Sequence, residues 1–166
     1  DLGTGNGCLL LACLAELPHA TGVGIDISTE AVMVATANAD RHGLAGRTKF
    51  CQADFAADLT GHGLFDLILS NPPYIPSGNI GTLDTDVRHF DPLAALDGGL
   101  DGLDCWRVLC PQITILLADE GMAFLEIGAG QATAVGKLGA ANKLHLAGSF
   151  ADLSGRERCL QFQKEI

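Results

Sequence analysis

The chain has 166 residues, of which 48% are hydrophobic and 18% are charged. It is therefore long enough to bury one core and too short for two comfortable domains, so we expect a single domain over residues 1–166. The formal net charge of −10 argues against broad binding of duplex DNA, because neutralising phosphates requires a basic surface. An acidic surface suits a basic protein partner instead.

The spacing of the cysteines and histidines limits further which class of protein this is. The six cysteines contain no C-x-x-C pair, and several lie in apolar runs, which indicates reduced and mostly buried thiols. The five histidines are scattered without the spacing of zinc ligands, so no metal site is expected. No apolar stretch reaches the length of a membrane span, and no signal peptide precedes the first motif. We therefore expect a cytoplasmic monomer that contacts neither membrane nor nucleic acid.

Apolar runs alternate with helix-period segments, the pattern of an α/β domain with a mostly parallel sheet. Asp1-Leu2-Gly3 is interpreted as the end of a strand whose body lies upstream, which makes this an amino-terminally truncated domain. Ser28 or Thr29 can cap a helix that ends before Gly43. The elements predicted in the first half are helices over 8–16 and 30–41 and strands over 21–27, 48–51 and 64–70.

The second half begins with a long irregular stretch over 75–101, which we interpret as a substrate-facing loop because loops of that length are usually functional or disordered. A helix is predicted over 103–118, with Pro111 either kinking it or starting a second segment. A strand over 122–127 follows. The remaining elements are a helix over 131–141, weakened by two glycines, and short strands near 144–147 and 159–162.

Three glycines separated by single residues follow the first strand end, at Gly3, Gly5 and Gly7. Such a strand-to-helix turn lets the backbone approach a ligand closely. A dinucleotide fingerprint would place its third glycine at position 8, which is Cys8, and a P-loop is excluded because no Gly-Lys-Ser/Thr follows. The D-x-G-x-G-x-G form instead resembles motif I of class I S-adenosylmethionine-dependent methyltransferases.

Two acidic residues at strand ends extend this cofactor site. Asp26 can accept hydrogen bonds from both ribose hydroxyls, and Asp54 can accept from an adenine amino group beside the Phe55 ring. Taken singly, each acid is better explained as a solvated residue at a strand end. Together they lie where open α/β sheets bind ligands. The predicted cofactor-binding residues are Asp1, Gly3, Gly5, Asp26, Ile27, Asp54, Phe55 and Asn71.

Asn71-Pro72-Pro73-Tyr74, the Asn-Pro-Pro-Tyr loop, closes the strand over 64–70. Each proline fixes its own φ and lacks an N–H, so the carbonyls of Asn71 and Pro72 have no regular ladder to join. With the Asn71 side-chain oxygen they can bind an –NH2 group, and the Tyr74 ring can pack against its plane. A simple proline turn is the alternative. We predict Asn71, Pro72 and Tyr74 as catalytic residues and the whole tetrapeptide as the substrate-binding loop.

The chemistry of this loop favours an amino or amide nitrogen. Such a nitrogen is a poor nucleophile because its lone pair is delocalised into the neighbouring π system. Two acceptors that bind its two hydrogens orient it and stabilise the positive charge that grows on it. Methyltransferases that act on adenine, on cytosine amino groups and on glutamine amides share the motif, which therefore specifies the atom and leaves the molecule open.

The later blocks of the sequence resemble the HemK/PrmC family of release-factor glutamine methyltransferases. These blocks are residues 71–76, 86–88, 91–92 and 95–103, then 125–128 with Gln131, and 152–156 with Arg158; position 91 is Asp where the family usually has Glu. The resemblance implies a Rossmann-like, doubly wound, mostly parallel sheet with an antiparallel strand near the carboxyl terminus and a first strand that is largely missing. An amino-terminal helical domain precedes this catalytic domain in the family.

By the same resemblance, the cofactor is S-adenosylmethionine and the partner is a peptide-chain release factor. The methyl group would go to the side-chain amide nitrogen of glutamine in the Gly-Gly-Gln motif, held by Asn71 and the Pro72 carbonyl. A nucleic-acid amino methyltransferase is the first alternative, but it should bring basic and aromatic surface for a flipped base, and this chain has one Trp and one Tyr. A non-catalytic nucleotide-binding module is the second.

Overall fold

The computed structural model describes residues 1–165, without the side chain of Phe90. Helices and strands alternate over most of the first half of this part of the chain, and 3-10 turns lie at Ala45–Arg47, Thr60–His62, Ser77–Thr82 and Leu93–Ala95. The elements in order are α1 (Cys8–Glu16), β1 (Gly22–Asp26), α2 (Thr29–Arg41), β2 (Thr48–Gln52), β3 (Phe65–Ser70), α3 (Thr85–Phe90), α4 (Asp104–Leu116), β4 (Leu117–Glu126), α5 (Ala132–Ala141), β5 (Leu144–Ala151) and β6 (Glu157–Lys164).

The strands form two hydrogen-bonded groups that a single residue joins. β1 pairs with β2 in parallel, β3 pairs with β4 in parallel, and β6 runs antiparallel to both β4 and β5. Leu2 bridges Ile25 of β1 and Ser70 of β3, both in parallel. The order is therefore β2-β1-Leu2-β3-β4-β6-β5, and β6 alone is reversed among the described strands. This confirms the predicted mostly parallel sheet with one antiparallel strand near the carboxyl terminus.

The first residues of the chain occupy the place of a strand between β1 and β3. The Leu2 N–H donates to the Leu69 carbonyl at 2.9 Å, and the Ile25 N–H donates to the Asp1 carbonyl at 2.9 Å. A groove of about 610 Å³ opens beside them, towards the amino ends of β1 and β3. The pairing agrees with the prediction that a strand ends at residues 1–3.

Local signals account for the ends of α2. Ser28 is its N-cap, and the Ser28 Oγ accepts from the Ala31 N–H at 3.1 Å. Gly43 follows the helix at φ +69°, the left-handed conformation that commonly ends helices and that glycine adopts without a Cβ penalty. The predicted cap and stop of this helix are therefore confirmed.

Two apolar clusters hold the helices to the sheet. In the larger cluster, Trp106 and Ile113 of α4 and Val135 of α5 pack with Leu125 of β4 and Phe162 of β6, all of them fully buried. The smaller cluster joins α1 to α2 and consists of Leu10, Leu11, Leu14, Ala39 and Leu44. None of the helices in residues 1–165 is long and apolar enough to cross a membrane.

Several predicted boundaries were wrong. The helix predicted over 103–118 ends at Leu116, because Leu117 pairs with Phe65 of β3 and begins β4. α4 passes through Pro111 as one helix, so of the two alternatives for Pro111 the start of a second segment does not occur. The stretch over 75–101 is not wholly irregular, since it contains α3 and two 3-10 turns. β5 and β6 each have eight residues, twice the predicted length.

The six cysteines are all free thiols, as predicted. Only part of the expected burial is correct, because Cys110 is buried, Cys8 is exposed and the other four are half-buried. Burial raises the pKa of the Cys110 thiol to about 11. This thiol therefore stays protonated and behaves as a small apolar side chain in the core.

Candidate active site

The predicted site residues converge on the carboxyl edge of the sheet. Asp26 is the last residue of β1, Asn71 follows β3 directly, and Glu126 is the last residue of β4. Open α/β sheets bind their ligands at this edge, outside the carboxyl ends of the strands. The groove lined by Asp1 opens towards the opposite edge.

The glycine turn has left-handed backbone at its first two glycines and two N–H groups that donate to one carbonyl. Gly3 has φ +77° and Gly5 has φ +54°, conformations that a residue with a Cβ adopts only with strain. The N–H groups of Gly3 and Thr4 both donate to the Ile25 carbonyl, at 2.8 and 2.9 Å. A Cβ added to Gly5 would meet no atom within 4 Å. The turn therefore leaves open space directly beside its second glycine.

The Asp26 carboxylate ties this turn to the start of α2. Its Oδ2 accepts from the Gly5 N–H at 2.8 Å, and its Oδ1 accepts from the Ser28 N–H at 2.9 Å. Asp26 is half-buried. A carboxylate has about four acceptor positions, so each oxygen keeps one for a ligand hydroxyl.

The Asp1 side chain lies under the same turn. Its Oδ2 accepts from the Thr4 hydroxyl at 2.7 Å. Its Oδ1 is buried and has no hydrogen-bond partner within residues 1–165. Leaving a buried acceptor unpaired costs about 1–3 kcal/mol, so a donor group on a ligand would stabilise this arrangement.

The aromatic ring predicted beside the cofactor does contact the turn. The Phe55 Cζ is 3.1 Å from the position of a Cβ on Gly3, so the ring covers that glycine. Asp54 is exposed, and its Oδ1 accepts from the Ala56 N–H at 2.9 Å. Ile27 is 60% exposed. Within the described part of the chain, no hydrogen bond joins Asp54 or Ile27 to the glycine turn.

The Asn-Pro-Pro-Tyr loop begins beside the glycine turn. Ser70, the residue before it, is buried, and its hydroxyl donates to the Leu2 carbonyl at 2.6 Å. Asn71 is exposed, whereas Pro72 is buried. Within residues 1–165, no protein donor reaches the carbonyls of Asn71 or Pro72 or the Asn71 side chain. The acceptors predicted from the sequence are therefore unpaired in the fold.

Tyr74 is half-buried and bonded at its hydroxyl. The O–H donates to Glu126 Oε1 at 3.1 Å. Burial, followed by the Glu126 carboxylate, raises the pKa of Tyr74, and the nearby Arg158 opposes this shift. Arg158 itself donates to the Ile127 carbonyl at 3.2 Å and forms an ion pair with Asp152 at 3.6 Å. Tyr74 is therefore a neutral phenol at physiological pH.

The segment after the loop folds back onto it. The Ile75 N–H donates to the Leu96 carbonyl at 3.0 Å, and the Gly98 N–H donates to the Ile75 carbonyl at 2.9 Å. The Asp97 carboxylate accepts from the Ser77 hydroxyl at 2.6 Å, the bond that does most to lower the pKa of Asp97. The segment predicted to face a substrate is thus held directly against the Asn-Pro-Pro-Tyr loop.

Two residues of the site received no individual role from the sequence. Glu126 ends an apolar strand, as Asp26 does, so the same strand-end rule identifies it. Gln131 carries no comparable signal, because two of its three hydrogen-bond partners, Tyr74 and Gly102, are distant in the sequence. Within residues 1–165, no group of three or more His, Cys, Asp or Glu side chains is arranged to hold a metal ion.

Comparison with known proteins gives one family match and many relatives. Residues 1–101 match a family described as a methyltransferase domain. The release factor glutamine methyltransferase of Rhodospirillum rubrum is 52% identical over 160 residues, which cover 96% of this chain and 49% of that protein. The protein of the same name from Bradyrhizobium diazoefficiens is 46% identical over 99% of this chain and 55% of its own length. The chain thus spans about half the length of these curated relatives.

Solved structures share the fold at low sequence identity. The ribosomal protein L11 methylase of Lactobacillus delbrueckii subsp. bulgaricus superposes with a TM-score of 0.72 at 22% identity, covering all of this chain and 68% of that one. A TehB-like SAM-dependent methyltransferase from Corynebacterium glutamicum gives 0.63 at 18% identity, over 99% of this chain and 78% of its own. These likenesses confirm the predicted Rossmann-like class I fold.

Proposed function

Because the chain belongs to the methyltransferase domain family, we propose that it is the catalytic part of a release-factor glutamine methyltransferase. The reaction is transfer of a methyl group from S-adenosylmethionine to the glutamine side-chain nitrogen in the Gly-Gly-Gln motif of a peptide-chain release factor. The names of relatives at 52% and 46% identity support this substrate. We propose this activity for the whole protein. The curated relatives are about twice as long as this chain.

One observation carries the proposal. The unpaired acceptors of Asn71 and Pro72 begin one residue after Ser70, whose hydroxyl is bonded to Leu2 at 2.6 Å, at the foot of the glycine turn. An acceptor site for a planar –NH2 group and an open glycine turn are thus adjacent at one edge of the sheet. That is the juxtaposition that methyl transfer to an amide nitrogen needs.

The residues around the turn fit S-adenosylmethionine. Asp26 keeps acceptor capacity for ribose hydroxyls, the buried Asp1 Oδ1 has no donor among residues 1–165, and Gly5 leaves space that a Cβ would fill. Phe55, Asp54 and Ile27 complete the proposed pocket around the adenine end. When bound, the cofactor would supply an electrophilic methyl group from its sulfonium sulfur, and the electrons of the broken sulfur–carbon bond would stay on the departing neutral thioether.

Asn71 and Pro72 would orient the substrate nitrogen. The Asn71 side-chain oxygen and the Pro72 carbonyl accept the two N–H groups of the amide, so its lone pair faces the methyl donor. Positive charge grows on the nitrogen as the new bond to carbon forms, and the two fixed acceptors stabilise it. The methylated nitrogen then releases one proton to water, and no side chain is needed as a base.

Tyr74 would form the wall against which the amide plane packs. Its hydroxyl is held by Glu126, and its raised pKa keeps the ring neutral. Pro73 fixes the backbone between the acceptor carbonyl and this ring. The function implies a cytoplasmic location, where release factors act, and we propose a monomer that takes one release factor as its partner.

The test offers isotopically labelled S-adenosylmethionine to the full-length protein, with a release factor and with DNA in separate reactions. Label on the release factor, lost when glutamine of the Gly-Gly-Gln motif is replaced by alanine, is the expected result. Asn71→Ala should abolish labelling while the Kd for the cofactor stays within a few-fold. Asn142→Ala, at the far end of α5, is the matched control. Label on DNA alone would overturn the proposal.

A further inference from the structure

Gln131 connects three separate segments at the Asn-Pro-Pro-Tyr loop. Its Oε1 accepts from the Gly128 N–H at 2.9 Å, in the turn after β4. Its Nε2 donates to the Tyr74 carbonyl at 2.9 Å and to the Gly102 carbonyl at 3.1 Å. One half-buried carboxamide therefore ties the loop to the turn after β4 and to the segment before α4.

Three glycines allow these segments to approach so closely. A Cβ on Gly98 would lie 2.8 Å from the Tyr74 Cα, and a Cβ on Gly128 would lie 3.1 Å from the Tyr74 Cδ2. A Cβ on Gly102 would overlap the Tyr74 carbonyl oxygen and lie 2.7 Å from Gln131 Nε2. The backbone of these three glycines lies close to Tyr74, and the Gln131 amide forms hydrogen bonds with backbone groups between the segments.

The same short segment holds both ends of Tyr74. Glu126 accepts from its hydroxyl at 3.1 Å, and Gln131, five residues later, donates to its carbonyl at 2.9 Å. A residue fixed at its side-chain tip and at its backbone has little freedom to rotate or translate. The turn between β4 and α5 therefore determines where the ring and the preceding acceptor carbonyls lie.

We propose that Gln131 is a positioning residue for methyl transfer, acting through the backbone of Tyr74 rather than on substrate or cofactor. The two N–H groups of its amide are both used, each on a different carbonyl, so a donor of this shape is required. A carboxylate in the same place would set a negative oxygen against two carbonyl oxygens. The activity part of this inference rests on the proposed function.

Gln131→Glu tests the requirement for a donor while preserving size and the acceptor towards Gly128. We expect kcat to fall about 10- to 100-fold because the loop is displaced, with the Kd for S-adenosylmethionine unchanged within about twofold. Asn142→Asp is the control, since Asn142 is also half-buried and its Nδ2 donates to the Leu138 carbonyl at 2.8 Å. Asn142 lies at the opposite end of α5, and the kcat of Asn142→Asp should match that of the wild type.

A pH profile separates positioning from a general loss of stability. Burial next to carbonyl oxygens raises the pKa of the new carboxyl group, and its protonated form regains an O–H donor for the Tyr74 carbonyl. The activity of Gln131→Glu relative to wild type should therefore increase as pH falls from about 8 to about 5. Gln131→Met, which has no donor at any pH, should lose activity without this recovery, and it serves as the second variant should the first not fold.

Fluorine NMR of protein labelled with 3-fluorotyrosine reads the position of Tyr74 without any substrate. The Tyr74 resonance is the one that Tyr74→Phe removes. It should shift or broaden in Gln131→Glu at pH 8, return towards the wild-type position as pH falls, and stay unchanged in Asn142→Asp. If the wild type methylates no release factor, the proposed function fails and this spectrum still decides the positioning role. An unchanged resonance and kcat in Gln131→Glu, or losses without pH-dependent recovery, would overturn it.

Discussion

Gly5→Ala separates two demands on the glycine turn, backbone conformation and space for a ligand. Gly5 has φ +54°, close to the ideal left-handed value of about +57°. Alanine in that conformation costs about 1–2 kcal/mol, of which about 0.4–1 kcal/mol is offset because alanine restricts the unfolded chain. The new Cβ would contact no protein atom within 4 Å. The free energy of unfolding should therefore fall by only about 1 kcal/mol.

Cofactor binding should suffer more than stability. The methyl group enters the space proposed for S-adenosylmethionine, and crowding of a well-packed site costs about 1–3 kcal/mol. That range corresponds to a Kd raised by about 5- to 150-fold. Isothermal titration calorimetry on the full-length protein measures it directly, and urea unfolding measures the change in stability.

Gly43→Ala is the matched control for backbone strain. Gly43 has φ +69°, follows α2, and would also place a Cβ within 4 Å of no other atom. The free energy of unfolding of Gly43→Ala should fall by a similar amount, and its Kd for S-adenosylmethionine should equal that of the wild type. Equal cofactor affinity in the two variants would refute the assignment of the space beside Gly5 to the cofactor.

Four other variants test separate parts of the structure. Asp26→Ala should weaken cofactor binding by about 1–3 kcal/mol, and calorimetry showing no change would remove Asp26 from the site. Hydrogen bonds lower the pKa of Asp152 to about 2, and the bond from the Ser154 hydroxyl contributes most. The stability that the ionised Asp152 adds to the fold is therefore present above the unfolded pKa and is lost as pH falls from about 4 to about 2. Urea unfolding should show Asp152→Asn destabilised at neutral pH and much less so near pH 2; equal losses at both would contradict this. Gly139→Ala should destabilise by about 1–3 kcal/mol, because its Cβ would overlap a phenylalanine ring of β6. Gly136→Ala, whose Cβ has room, should instead raise the melting temperature.

Elements with local end signals could be predicted from the sequence. α1 spans Cys8–Glu16, as predicted, since a glycine precedes it and Pro18 follows it. Ser28 caps α2 through a bond to an amide three residues away, a contact that the sequence alone specifies. The mostly parallel character of the sheet also followed from the alternating apolar pattern, because crossovers between parallel strands usually contain a helix.

Features set by distant contacts could not be predicted in this way. Leu117 continues a helical apolar pattern, yet it belongs to β4 because Phe65, more than fifty positions earlier, pairs with it. The Asn-Pro-Pro-Tyr acceptors were visible in the sequence because prolines leave carbonyls unpaired locally. The role of Gln131 depends on Tyr74 and Gly102, which only the fold brings to it. The contributions of individual residues to cofactor binding remain predictions.

Tandem mass spectrometry of the methylated product tests directly whether the glutamine side chain is the methyl acceptor. The full-length protein is incubated with S-adenosylmethionine and a release factor, and the modified peptide is fragmented to locate the methyl group. We expect one methyl group on the side-chain nitrogen of glutamine in the Gly-Gly-Gln motif, absent when Asn71→Ala replaces the wild type. A methyl group on any other residue, or undiminished methylation by Asn71→Ala, would contradict it.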